Sequence, residues 1–329
     1  MSERVVVIGS NSFSGSHYVK YLLQQNVEVV GISRSEEPHD VFLPYKRCKG
    51  GPFIFHQLDL NRDLVDIMEV IGDFKPTYVV NFACQSMVAQ SWEHPEHWFQ
   101  TNVLTMVQFH DRLRRYNFIE KYVHISTPEV YGHCEELIRE NTQYDPSTPY
   151  AVSRAAADMS LMSFYRNYGF PVVFTRAANV YGPGQQLYRI VPRAILFFLT
   201  GRKLQLHGGG HSVRSFIYIE DVAEGTAKVM RQSSPPSIFH LSTPLNISIR
   251  SLIEMIAGKL NVSFRDCVEI VDERPGKDAA YLLDSSKVQK ELRWKPRISL
   301  EEGIDRTIKW VKENLAVLQR QPLDYIHKP

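Results

Sequence analysis

Tyr150 and Arg154 stand four residues apart in Tyr150-Ala-Val-Ser-Arg154, and on a helix that spacing puts a phenol and a guanidinium on one face. A cation beside a phenol favours phenolate and lowers a pKa of about 10, which equips the tyrosine to act as a base toward a hydroxyl near neutral pH. Such a pair also occurs as surface decoration, so its neighbours in the chain matter. Ser126-Thr-Pro-Glu-Val-Tyr-Gly132 precedes it and Asn179-Val-Tyr-Gly-Pro183 follows it. Each comes directly after a short apolar run, and the carboxyl ends of strands are where ligands bind in open α/β sheets.

The elements that must position these residues are legible as an alternation. Apolar runs rich in β-branched residues occur at Val5–Ile8, Val27–Ile32, Phe53–Leu58, Tyr78–Phe82, Tyr122–Ser126 and Val172–Arg176. Helix-length stretches separate them at Ser14–Gln25, Asn61–Ile71, Pro95–Tyr116 and Thr148–Tyr168. Strands apolar along their whole length fit a parallel sheet covered on both faces. The expected fold class is therefore α/β, a Rossmann-like doubly wound parallel sheet with a smaller C-terminal substrate-binding lobe. After Tyr181-Gly-Pro-Gly184 the pattern loosens: Val191–Thr200, Ser248–Lys259 and Leu300–Asn314 read as helices, and Arg214–Asp221 as a strand running into a helix. The expected division is residues 1–183 for the dinucleotide-binding domain, with return segments near 214–243, and residues 184–213 and 244–329 for the second lobe.

Composition narrows the partners. The 329 residues are 43% hydrophobic and 22% charged, and no segment approaches the roughly 18 consecutive apolar residues of a membrane span. Lys plus Arg at 38 against Asp plus Glu at 36 leaves +2, no field for a nucleic acid. Neither nucleic acid nor membrane is expected as a partner, whereas a few local arginines suffice for a small anion. Cys48, Cys84, Cys134 and Cys267 lack metal-ligand or redox spacing, so reduced thiols and no metal are expected. Met1-Ser-Glu-Arg runs straight into Val5–Ile8 without the features of a secretory leader, which points to the cytoplasm and makes the sequons at Asn246 and Asn261 chance matches.

The first strand ends in Gly9-Ser-Asn-Ser-Phe-Ser-Gly15 with a helix following, where a dinucleotide pyrophosphate would meet free backbone N–H groups and a helix dipole. Ser12 stands where a third glycine is expected, and a plain strand-to-helix turn would leave the same pattern. The second strand ends in Gly31-Ile-Ser-Arg34, with no carboxylate for ribose hydroxyls. Ser33 and Arg34 could instead hold a 2′-phosphate, which favours NADP over NAD, unless Arg34 simply faces solvent. Asp59 and Leu60 would border the adenine, and Phe82 and Ala83 the remainder of the cofactor.

The chain resembles the extended short-chain dehydrogenase/reductases, and among them most the nucleotide-sugar 4,6-dehydratases of the dTDP-glucose branch. The resemblance spans nearly the whole length. It rests on the glycine turn, Gln85-Ser-Met-Val-Ala-Gln-Ser91, Ser126–Gly132, Pro149–Arg154, Asn179-Val-Tyr-Gly-Pro-Gly-Gln185, Arg214-Ser-Phe-Ile-Tyr218 and Arg274-Pro-Gly-Lys-Asp278. What it implies is oxidation at sugar C4, loss of water across C5 and C6, and hydride return to C6. Carried over by residue, Tyr150 would be the C4-hydroxyl base, Thr127 its hydrogen-bond partner, Glu129 the C5 base, and Arg154 the holder of the nicotinamide ribose in place of the usual lysine. The resemblance also assigns Phe13, Ser14, Gln85 and Ala177 to the cofactor. Ser86, Met87, Asn179, Arg189, Ile190, Arg214 and Arg274 would face a nucleotide-diphosphate sugar, and a homodimer formed through Pro95–Tyr116 and Thr148–Tyr168 is implied.

Two departures bear on mechanism. Pro128 occupies the position of the aspartate that protonates the departing hydroxyl in the dTDP branch, so another acid or water must serve; the GDP-mannose branch lacks that aspartate as well. Arg154 keeps the charge of the usual lysine in a wider, planar group. A sugar 4-epimerase or a UDP-glucuronate decarboxylase on the same fold remains a competing reading. From a different class, so does a cofactor-binding regulatory protein without turnover.

Overall fold

The computed structural model describes residues 3–133, 136–272 and 282–329. The chain opens as β1 (Arg4–Ile8), α1 (Phe13–Gln24), β2 (Glu28–Ser33), β3 (Phe53–Gln57), α2 (Leu64–Phe74) and β4 (Tyr78–Asn81). A long helical stretch follows, made of α3 (Pro95–Phe99), a π-helical segment Gln100–Thr105 and α4 (Met106–Leu113), and then β5 (Lys121–Ile125), β6 (Leu137–Ile138), α5 (Pro149–Tyr168) and β7 (Val172–Ala177). The remainder comprises β8 (Asn179–Tyr181), α6 (Ile190–Leu199), β9 (Leu204–His207), β10 (Val213–Tyr218), α7 (Ile219–Gln232), β11 (Ser237–Leu241), β12 (Asn246–Ser248) and α8 (Ile249–Leu260). Last come α9 (Phe264–Cys267), β13 (Val268–Val271), β14 (Leu282–Leu283), α10 (Ser286–Leu292), α11 (Leu300–Glu313) and α12 (Leu315–Leu318).

Seven strands pair in parallel in the order β11-β7-β5-β4-β1-β2-β3. Val5, Val6, Val7, Val79, Val80, Val123 and Val173 are fully buried, which is why these runs are continuously apolar rather than alternating. One face packs on α1 and α7 through Tyr18, Leu22, Ala227 and Val229; the other packs on α2, α4 and α5 through Ile67, Phe109 and Leu161. The strand order reverses between β1 and β4, which opens a crevice at their carboxyl ends. A separate core, with Ile195, Phe198, Ile253, Ile256, Ile304 and Val311, joins α6, α8 and α11 beside β9 and β10.

β11 has no counterpart among the apolar runs noted in the sequence. It carries His240 near its end, fully buried and bonded to the Tyr131 hydroxyl at 2.8 Å, and a polar residue inside a short strand masks the pattern. Among the described residues no helix is long and apolar enough to cross a membrane.

Candidate functional site

The glycine turn after β1 has the geometry of a phosphate cradle. Gly9 has φ +80°, and a Cβ there would lie 2.8 Å from the Ala83 nitrogen; a Cβ on Gly15 would lie 2.1 Å from the Gly9 oxygen. Both must be glycine. Ser12 caps α1: its hydroxyl donates to the Gly9 oxygen at 2.7 Å and accepts from the Gly15 nitrogen at 3.1 Å, so it braces the turn where a third glycine was expected. Gly9, Ser12, Ser33, Arg34, Asp59, Leu60, Phe82 and Ala83 all line one cavity of about 200 Å³. Ser14 is half-buried and Phe13 is buried, its ring packed into the core of the second lobe.

Arrangement at the end of β2 corrects one expectation. Ser33 is buried and its hydroxyl accepts from the Asn11 nitrogen at 3.2 Å, while Arg34 Nη1 donates to the Pro329 oxygen at 3.0 Å. The serine braces the glycine turn and the arginine faces the end of the described chain. Both side chains are engaged within the chain, and their arrangement gives the preference for NADP no support.

Tyr150 sits in the first turn of α5, which Thr148 caps and Pro149 begins. Thr127 caps the short turn Pro128–Tyr131, its Oγ1 accepting from the Glu129 nitrogen at 3.3 Å, and it also hydrogen-bonds the Tyr150 hydroxyl. Pro128 is buried at the first position of that turn, where a missing N–H costs nothing. Burial drives the Tyr150 phenol well above its ordinary pKa; Cys84 and Glu129 push the same way, and Arg154 and Thr127 pull down. The expectation that Arg154 lowers the phenol outright is corrected, because desolvation outweighs the cation.

Arg154 is itself relocated. The residue is 1% exposed and its guanidinium turns back onto β5, where Nη2 donates to the Ile125 oxygen and to His124 Nε2. Burial and then Arg154 hold His124 well below its usual pKa, so the imidazole is neutral and accepts. Behind it, the fully buried Asp158 accepts from Ser126 Oγ at 2.6 Å and Arg176 Nη2 at 2.8 Å. A wide, multi-donor group satisfies itself against backbone where a lysine would have one ammonium to place. Arg154 Nε is buried with no hydrogen-bond partner among the described residues.

A second cavity, about 680 Å³, adjoins this centre and is lined by Glu129, Ile190, Arg193, Arg202, Lys203 and Arg214 among others. Of the residues expected to face a substrate, Ile190 and Arg214 line it. Asn179 Nδ2 reaches the Ser215 oxygen at 3.4 Å, Arg189 lies over the Tyr188 ring at 5.5 Å, Ser86 is exposed and Met87 half-buried, beside the lining residues Val88 and Ala89. Arg274 lies outside the described residues. Ala177 ends β7, and Gln85 is buried, its backbone exchanging hydrogen bonds with Asn102 at 2.8 and 3.0 Å. Sequence reasoning missed Cys84, Arg193, Arg202 and Lys203. Only Arg193 carried a signal, one helical turn beyond Arg189.

Cys84 lines the first cavity and Glu129 the second, and both act on the Tyr150 phenol. A phenol, a hydroxyl partner and a carboxylate thus meet beside the cysteine of one cavity and the wall of a second that is rich in cations.

Comparisons with known proteins give the family. Residues 6–307 match the family model described as GDP-mannose 4,6 dehydratase. The chain is 32% identical to the dTDP-glucose 4,6-dehydratase of Streptomyces antibioticus, covering 95% of this chain and 93% of that protein. The solved dTDP-glucose 4,6-dehydratase of Streptomyces venezuelae, with NAD and TYD bound, superposes with a TM-score of 0.87 at 29% identity, covering 95% of this chain and 98% of that one. The UDP-glucose 4-epimerase of Thermus thermophilus, in complex with NAD, gives a TM-score of 0.84 at 28% identity over 94% of this chain and 99% of that one.

Proposed function

Because the chain belongs to the GDP-mannose 4,6-dehydratase family, within the extended short-chain dehydrogenase/reductases, we propose that it is a nucleotide-sugar 4,6-dehydratase acting on a substrate of the dTDP-glucose type with bound NAD. The observation that carries this reading is that Tyr150 bonds Thr127 and interacts with Cys84 of the first cavity and Glu129 of the second. NAD is favoured over NADP because Ser33 is committed to the glycine turn and the two solved relatives named above hold NAD.

Gly9, Ser12 and Gly15 would hold the pyrophosphate, and Asp59 and Leu60 would border the adenosine. When bound, the dinucleotide would supply a hydride acceptor for sugar C4 and a hydride donor for C6. Tyr150 takes the proton of the C4 hydroxyl, with Thr127 orienting the exchange. The resulting ketone acidifies C5–H, and Glu129 removes that proton. Pro128 has no proton to donate to the C6 hydroxyl. Glu129, protonated by its own abstraction, returns that proton as the C6–O bond breaks and water leaves; when hydride adds at C6, C5 regains a proton from solvent, and Tyr150 releases to solvent the one it took from the C4 hydroxyl. Arg193, Arg202, Lys203 and Arg214 supply cations for the diphosphate.

Incubation with dTDP-glucose, GDP-mannose, UDP-glucose and UDP-glucuronate, followed by mass spectrometry, tests the reading. Loss of water from one of the hexoses is the expected result; loss of carbon dioxide, or unchanged mass with inverted C4, would replace it with decarboxylation or epimerisation. The pinned guanidinium of Arg154 favours one second reading, a cofactor-binding protein without turnover, and NAD binding with every sugar unchanged would establish it. The exposed apolar side chains Leu104, Val152 and Met159 on the two long helical stretches support a homodimer. Light scattering of Met159→Asp beside the wild type checks this, a dimeric variant counting against that face.

A further inference from the structure

The residues just before the end of the chain cross the crevice. Arg193 Nη2, in the wall of the second cavity, donates to the Leu323 oxygen at 2.8 Å and to Asp324 at 2.6 Å. Tyr325 packs edge-on against Tyr188. Gln85 Nε2 then donates to the Lys328 oxygen at 2.6 Å, Lys328 Nζ to Ser35 Oγ at 2.9 Å, and Arg34 reaches Pro329. The segment thus runs from one cavity to the mouth of the other as a strap.

Its anchor is an aromatic stack. The His327 ring lies 5.1 Å from the Trp98 ring at 6° and 5.1 Å from His97 at 17°, and His97 Nδ1 and His327 Nε2 are 2.8 Å apart. His97 belongs to His94-Pro-Glu-His97, which opens α3. His94, Glu96 and His97 each offer a ligand atom, all within 4.8 Å of one another. His94 Nδ1 lies 3.5 Å and His97 Nε2 3.8 Å from the same Glu96 oxygen. Ligand atoms about 2.0–2.1 Å from a tetrahedral zinc ion stand about 3.3 Å apart, so small side-chain adjustments complete a two-histidine, one-carboxylate set with an open fourth position.

We propose that His94, Glu96 and His97 form a site for a divalent first-row transition metal of the zinc class, and that metal bound there tightens the strap Leu323–Pro329 across the crevice. The coupling follows from the ring of His97. Metal on Nε2 leaves the proton on Nδ1, and that N–H is the donor His327 Nε2 needs; a ligating histidine held by an outer partner in this way is the usual arrangement. The ligand set is histidine-rich, so imidazole-preferring ions fit it and magnesium or calcium do not. Cysteine spacing gave no hint of such a site, because no cysteine takes part.

The metal site stands independently of the assigned reaction; only an effect on NAD exchange rests on the proposed function. Cobalt(II) titration of chelator-treated protein, without cofactor or sugar, is the test. One equivalent should give visible ligand-field bands that zinc abolishes, and His94→Ala and His97→Ala should each weaken binding at least about 100-fold, with His327→Ala weakening it about 10-fold as an outer partner. Zinc should also slow hydrogen exchange in Leu323–Lys328 of the wild type and leave His327→Ala unchanged. Absent bands, or equal binding by the His94 and His97 variants, would overturn the site. Zinc binding that leaves exchange of the strap unaltered would overturn the coupling. NAD dissociation slowed by zinc would extend the effect to the cofactor.

Discussion

Replacing Asp158 with asparagine should be the most costly conservative change near the site. Its carboxylate is fully buried and faces two buried guanidinium groups, bonding Arg176 directly and standing close to Arg154 across the neutral His124. Burial alone would lower the Arg176 pKa; Asp158 first, with Tyr131 and Tyr144, outweighs it and holds the guanidinium above its ordinary value. Asparagine keeps the shape and can still accept from Ser126, but it leaves two uncompensated buried cations. Unit charges about 4 Å apart at an effective dielectric constant of about 20 attract by about 4 kcal/mol, and breaking one side of a buried pair costs about 3–5 kcal/mol. Urea unfolding followed by tryptophan fluorescence should therefore show a loss of about 3–5 kcal/mol, with Tm lower on the order of 10 °C. Arg176 also stacks on Tyr131 at 4.5 Å, so, on the proposed mechanism, turnover should fall with the turn Thr127–Tyr131 loosened. The double variant Asp158→Asn/Arg176→Gln should lose less than the sum of its parts. A loss under about 1 kcal/mol, the value of a surface pair, or strict additivity would refute the reasoning.

Tyr150→Phe should abolish C4 oxidation, read as absent substrate-dependent NADH absorbance, while NAD still binds. Glu129→Gln should allow that absorbance to rise yet slow water loss by about 100-fold or more, and wild-type water loss would remove Glu129 from the mechanism. Gly15→Ala should weaken NAD binding at least about 10-fold in a fluorescence titration, since its Cβ would sit 2.1 Å from the Gly9 oxygen; unchanged affinity would contradict the cradle. Burial holds His17 at about 4 and His110 and His240 at about 3, below the ordinary 6.5, so their contribution to stability is present above pH 6.5 and is lost as pH falls through that window. Tm should decline steadily on acidification from pH 6.5 toward 4, less steeply in His110→Gln, and a flat profile would count against neutral buried imidazoles.

Much of the frame was legible because it is written in local spacing. Six of the seven strands of the main sheet, the long helices and the Gly9 and Gly15 turn each follow from short-range patterns that burial on both faces or a tight turn imposes on neighbouring residues; Thr127 and Glu129 came from the resemblance. The sequence by itself determined the α/β class, the family resemblance and the residue types at the centre of the site. Tertiary structure decided everything that depends on which distant groups meet. Arg154 found His124 and the Ile125 oxygen instead of an open crevice, Ser33 turned to Asn11, and β11 closed the sheet with a buried histidine. The strap is the extreme case, since His97 and His327 are 230 residues apart in the chain and share no periodicity. A side chain with several donors has many possible partners, and only the packed fold, by removing water, selects the one it keeps.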